Sequence, residues 1–113
     1  MQKYLYNFFV LSLFLSFHLT ADFVIDVRTL DEYRSGHLED SINIEWQKIS
    51  SIEEYISKDE IIYLYCRSGN RSGKAADILI SKGYMNVINL GSIESAAEQL
   101  NRKITKNINE KFF

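Results

Sequence analysis

Short runs of β-branched, aromatic and aliphatic residues punctuate a polar background at Phe23-Val24-Ile25-Asp26-Val27, Ile42-Asn43-Ile44, Ile61-Ile62-Tyr63-Leu64-Tyr65 and Val87-Ile88-Asn89. Runs this short, rich in residues that suit a pleated surface, predict strands over 23–27, 41–44, 61–65 and 86–89. Between them the apolar positions spread to helical spacing, as at Ala75, Ala76, Ile78, Leu79 and Ile80. That spacing predicts a helical turn near 30–35, helices near 50–57 and over 72–82, and another from about 93. Strands separated by helices imply an α/β domain whose central sheet is mostly parallel, with helices on both faces. Beyond Gln99 the chain turns polar, with Leu100, Ile104, Ile108 and Phe112 four apart. A stripe of that period is expected to lie over the sheet.

The first 21 residues follow another pattern. One charge, Lys3, precedes the apolar stretch Phe8 to Phe17, and Leu19-Thr20-Ala21 closes on a small residue. This is the layout of a secretory signal peptide, and the apolar part falls short of the roughly 20 residues that span a bilayer. The expectation is cleavage after Ala21, release into a periplasm and no membrane attachment afterwards. No cysteine lies near that point, so lipoprotein processing is excluded.

Losing 21 of 113 residues leaves 92, enough for one small core over 22–113. Removing Lys3 leaves 12 basic against 15 acidic side chains, a net charge of −3 that disfavours nucleic acid and acidic membranes as partners. Two histidines, one of them in the leader, offer no metal site with the single cysteine, and no cofactor is called for. The domain is expected to be a monomer.

That cysteine carries the chemistry. Cys66 follows the run Ile61 to Tyr65 directly and precedes Arg67-Ser68-Gly69-Asn70-Arg71-Ser72-Gly73, which leads into the helix. It therefore sits at the C-terminal end of a strand beneath a helix N-terminus, where free N–H groups and the positive end of the helix dipole collect. A thiolate is favoured there, and Arg67 and Arg71 are expected to lower the thiol pKa further. Gly69 and Gly73 are expected to take left-handed angles that turn the loop amides inward around an anion. A lone cysteine is more often a small core residue. Here its neighbours Arg67, Ser68, Asn70 and Arg71 would all need partners if buried with it. An unpaired thiol in an oxidising compartment also argues for use.

The segment Cys66 to Arg71 resembles the six-residue active-site loop of rhodanese-type sulfurtransferases. Similar matches lie upstream, in Ile25-Asp26-Val27-Arg28, Glu32-Tyr33, Gly36-His37-Leu38 and Ile42-Asn43-Ile44, and downstream, in Gly83 to Gly91. The chain departs from that pattern at Asp40-Ser41, where the family commonly has Gly-Ala, and at Ser92, where it has a second glycine. The resemblance implies a rhodanese-like fold and sulfur transfer from thiosulfate, through a persulfide on Cys66, to a thiol, a small redox protein or cyanide. It implies that Arg67, Ser68, Gly69, Asn70 and Arg71 surround the donor, and that Asp26 and Arg28 brace the fold near the site. Asp26, Arg28, Glu32 and His37 read on their own as turn-locking and packing residues.

Two other readings use the same loop: a persulfide carrier, or a docking module without thiosulfate turnover. Phosphatase or arsenate reductase chemistry is more distant. Only four residues separate Cys66 from Arg71, too few to wrap a tetrahedral phosphate as the five of tyrosine phosphatases do. The leader makes a prediction of its own: intact mass spectrometry of the exported protein gives a chain starting at Asp22, and a mass that retains residues 1–21 contradicts it.

Overall fold

The computed structural model describes residues 22–108. Four strands form one parallel sheet: β1 (Asp22–Asp26), β3 (Ile42–Asn43), β4 (Ile61–Cys66) and β5 (Asn86–Ser92), in the order β3-β1-β4-β5. Around it lie α1 (Leu30–Ser35), a 3-10 helix (Trp46–Glu54), α2 (Asn70–Ser81) and α3 (Ile93–Leu100). A separate antiparallel pair joins β2 (His37–Leu38) to β6 (Ile104–Thr105). The predicted α/β architecture is the one observed. The predicted leader lies outside the described residues, and among those that are described no helix is long and apolar enough to cross a membrane.

The two-residue period of the strands sorts side chains onto two cores. Ile25 and Val27 of the first strand segment, with Ile62, Leu64 and Cys66 of β4, face Ile49 and Ile52 of the 3-10 helix, Ile56 just after it, and Ala75, Ala76 and Leu79 of α2. Val24 and Tyr65 point the other way, against Leu38, Leu90, Ile93 and Ala96. Cys66 thus belongs to the face that α2 covers.

The helix predicted near 50–57 starts earlier and is 3-10 rather than α. Trp46, Ile49 and Ile52 recur every third residue, the repeat of a 3-10 helix, and serines at 50 and 51 between β-branched residues favour α geometry little. The tail also departs from expectation. Asn101, left-handed at φ 51°, ends α3, and Ile104 pairs with Leu38 instead of continuing a helix. Leu100 packs against the second core, but Ile104 and Ile108 are 49% and 48% exposed, so beyond Leu100 the described stripe does not cover the central sheet; Phe112 lies outside the described residues.

Both family departures have local causes. Asp40 stands at φ 58°, the left-handed region for which glycine is the default and which aspartate tolerates. Ser92 caps α3, its side chain accepting from the Ser95 amide at 3.1 Å, a role the glycine could not fill.

The brace beneath the site is a buried ion pair. Arg28 donates through Nε to both oxygens of Asp26 at 3.0 and 3.1 Å and through Nη2 at 2.7 Å, while Nη2 also reaches the Gly36 carbonyl at 2.6 Å. Asn43 donates to the carbonyls of Asp26 and Arg28, joining β3 to the same corner. The Arg28 guanidinium lies 5.8 Å from the centre of the Tyr65 ring, whose hydroxyl accepts from the Leu38 amide at 3.0 Å. His37 stacks on Tyr33 with ring centres 3.7 Å apart, and its nitrogens sit against the carbonyls of Tyr33 and Asn107. It is a packing residue. Replacing Arg28 with methionine leaves the Asp26 carboxylate, which has no exposed surface, without its counter-charge and with the backbone amide of position 28, at 3.0 Å, still donating to it. That loss is expected to cost about 3–5 kcal/mol in urea unfolding, and a cost below about 1 kcal/mol contradicts the brace.

Candidate active site

β4 delivers Cys66 to the edge of the core with 1% of its surface exposed. The chain then has three residues, Arg67, Ser68 and Gly69, in which to reverse into α2. Gly69 makes the reversal at φ 94° as the N-cap of that helix. A Cβ there would lie 3.2 Å from the Gly91 Cα, so both dihedral and space demand glycine. No side chain of the N-cap closes the helix. The cysteine does so instead: Sγ accepts from the Gly69 amide at 3.0 Å and from the Ser72 amide at 3.5 Å, where the oxygen of a capping side chain would normally stand.

The Ser72 hydroxyl approaches the sulfur at 3.3 Å. Burial alone raises the Cys66 thiol pKa. The Ser72 hydroxyl and the amides of Ser72, Ser68 and Gly69 outweigh it and hold the thiol below its ordinary value. The helix-start amides act as expected, and the arginines expected to lower the pKa further, Arg67 and Arg71, are not among the main causes. Backbone and hydroxyl dipoles aimed at the sulfur are.

The arginines have separate tasks. Arg71, already inside the first turn of α2, grips Glu32 with Nη1 to Oε1 at 2.6 Å and Nη2 to Oε2 at 3.0 Å. Glu32 also closes a capping box at the start of α1, where its carboxylate accepts from Thr29 and the Thr29 hydroxyl accepts from the Glu32 amide. One side chain so ties the cysteine loop to α1 across 39 residues of sequence. Arg67 is exposed, as are Ser68 and Asn70, and its guanidinium makes no ion pair among the described residues. Gly73 is helical, not left-handed, and a Cβ there would make only an ordinary contact, 3.5 Å from the Asn89 amide nitrogen, so neither dihedral nor space requires glycine at this position.

Two polar residues outside the predicted set complete the site. Ser72 is fully buried and donates to Asn89 Oδ1 at 2.7 Å. Asn89 also donates to the Gly69 carbonyl at 3.1 Å and accepts from the Gly91 amide at 2.9 Å, pinning the loop to the end of β5. The trace they leave in the sequence is slight: a small hydroxyl on the buried side of a helix start, and one amide in the run Val87-Ile88-Asn89-Leu90.

A buried sulfur ringed by donors at a helix N-terminus is built to carry negative charge as a thiolate. The family described as Rhodanese-like domain matches residues 16–99. The chain belongs to the rhodanese-like family. Among curated relatives, the thiosulfate sulfurtransferase PspE of Escherichia coli is 33% identical over 82 residues, covering 68% of this chain and 76% of that protein. The adenylyltransferase and sulfurtransferase UBA4 of Candida albicans is 37% identical over 92 residues, covering 74% of this chain. This chain spans only 21% of UBA4, so the match concerns one part of that protein. A solved structure described as rhodanese with anions from E. coli aligns with a TM-score of 0.68 at 29% identity, covering 77% of this chain and 100% of that one. This rhodanese-like domain is therefore a sulfurtransferase by family.

The Glu32 carboxyl is held at about 2 rather than its ordinary 4.5, chiefly by the Arg71 guanidinium and with help from Thr29, against the opposing effect of burial. A depressed carboxyl contributes stability that is fully present above pH 4.5 and is lost as the pH falls toward 2. Glu32→Gln is expected to flatten the acid side of the melting-temperature profile across that range, followed by circular dichroism. A variant that loses stability with acid as steeply as the parent contradicts the anchor.

Proposed function

We propose that this domain moves sulfane sulfur from thiosulfate to a thiol acceptor. The Cys66 thiolate attacks the outer sulfur of thiosulfate. The sulfur–sulfur bond of the donor breaks, sulfite leaves with the bonding pair, and a persulfide remains on Cys66. An acceptor thiolate then attacks the terminal sulfur, taking it away as a new persulfide and restoring the Cys66 thiolate. Cyanide serves as the acceptor in an assay, leaving as thiocyanate. A small thiol or a redox protein fits an exported domain, and the apolar leader supports a periplasmic setting. The domain acts as a monomer without a cofactor.

The observation that carries this reading is the convergence of the Gly69 and Ser72 donors on a buried sulfur. Arg67 stands exposed beside it and is the cation available to steer a doubly charged donor. Ser68 and Asn70 flank that approach.

Persulfide carriage without thiosulfate turnover is the second reading, and one feature favours it. Glu32 neutralises Arg71, so the entrance offers one unpaired arginine rather than two. A neutral or singly charged persulfide needs no more.

Cys66→Ser is expected to abolish thiocyanate formation, and Arg67→Ala to raise the thiosulfate concentration for half-maximal rate about ten- to a hundredfold with little change in kcat. Residual thiocyanate formation by Cys66→Ser contradicts the mechanism. An Arg67→Ala enzyme with unaltered thiosulfate dependence shifts support to the carrier reading.

A further inference from the structure

The Ser72 hydroxyl has two neighbours and one proton. Asn89 Oδ1 lies 2.7 Å from it and Cys66 Sγ 3.3 Å. The orientation of the Asn89 amide is settled by its other partners, because Oδ1 faces the Gly91 N–H and Nδ2 faces the Gly69 carbonyl. A flipped amide would set donor against donor and acceptor against acceptor. Asn89 Oδ1 therefore accepts the Ser72 proton in this arrangement, and the oxygen lone pairs of Ser72 face the sulfur. A protonated thiol satisfies them, as S–H can donate to that oxygen.

An ionised sulfur cannot. Lone pairs would then oppose a charge in a site where Ser72 has no exposed surface and cannot turn to water. Rotation about one bond resolves the conflict by swinging the hydroxyl proton to the sulfur. Asn89 Oδ1 is not orphaned, since the Gly91 amide still donates to it. The rotation exchanges a neutral hydrogen bond for a charge-assisted one.

We propose that Asn89 is a positioning residue that acts on Cys66 through the Ser72 hydroxyl: it holds that proton while the sulfur is a thiol and releases it when the sulfur is charged. Asn89 thereby sets part of the cost of forming the thiolate, and of carrying charge on a persulfide. This deepens the sulfur-transfer reading by naming a control on its reacting group.

The signs of the expected effects separate this role from simple support of the loop. Removing the competing acceptor leaves the hydroxyl free to face the sulfur at all times. Asn89→Ala is therefore expected to lower the midpoint of the pH dependence of Cys66 alkylation by iodoacetamide, by about half a pH unit to one. Ser72→Ala, which deletes the donor, raises that midpoint by about one unit or more. In the Ser72→Ala background the Asn89→Ala change has no further effect. Asn89→Asp keeps a stronger acceptor, so it raises the midpoint, and by more when Ser72 is present than when alanine replaces it.

Circular dichroism establishes that each variant is folded, and should Asn89→Ala fail to fold, the Asn89→Asp pair carries the test. An upward or absent shift in Asn89→Ala, or equal shifts with and without Ser72, overturns the proposal. Alkylation needs no sulfur donor, so this outcome is independent of whether thiosulfate loads the parent protein.

Discussion

A charged sulfur within a packed core is unstable unless dipoles are already aimed at it, and the local architecture follows from meeting that demand. Cys66 ends the strand next to the centre of the parallel sheet, on the face that α2 covers, so water reaches its sulfur poorly. Compensation has to come from N–H groups, and the nearest unpaired ones are those of the first turn of α2. Bringing them within 3.0–3.5 Å of Sγ forces the chain to reverse in three residues. Only the left-handed Gly69, seated against Gly91, permits so tight a reversal.

A loop so constrained needs anchors on either side. Toward β5 the anchor is Asn89, joined to Ser72, Gly69 and Gly91. Toward α1 it is the Arg71–Glu32 pair, and Glu32 is in turn fixed by Thr29 through the capping box. Thr29 directly follows Arg28, whose buried pairing with Asp26 braces the end of β1. Charge is spent here mainly on geometry. Of the two arginines that flank the cysteine loop, one is paired with Glu32 and one is left exposed.

Much of this was legible in the amino-acid sequence, for reasons that differ by element. Short β-branched runs identified the four central strands, since each lies in a sheet covered on both faces. Placing Cys66 at a strand end beneath a helix needed only the change of period at that residue. The 3-10 helix was harder to see because Trp46, Ile49 and Ile52 repeat at three, close enough to 3.6 to pass for α. The tail misled because a stripe spaced by four was interrupted by Asn101, whose left-handed backbone no periodicity reports. Ser72 and Asn89 were invisible for another reason: their importance lies in a contact across 17 residues, made only when α2 and β5 come together. Arg71 read naturally as an anion ligand, and its pairing with Glu32 was not legible, because Glu32 was recognisable only as a residue of a distant turn.

Transfer of sulfur from thiosulfate to the ringed Cys66 sulfur, as proposed, would leave a persulfide that can be weighed. Intact mass spectrometry of the reduced protein before and after thiosulfate, with sulfite measured in the same samples, tests it most directly. The expected result is a gain of the mass of one sulfur atom on Cys66 with an equal amount of sulfite released. An unchanged mass with thiosulfate, alongside ready loading from a polysulfide, would contradict it and leave Cys66 as a carrier of sulfur delivered by other means.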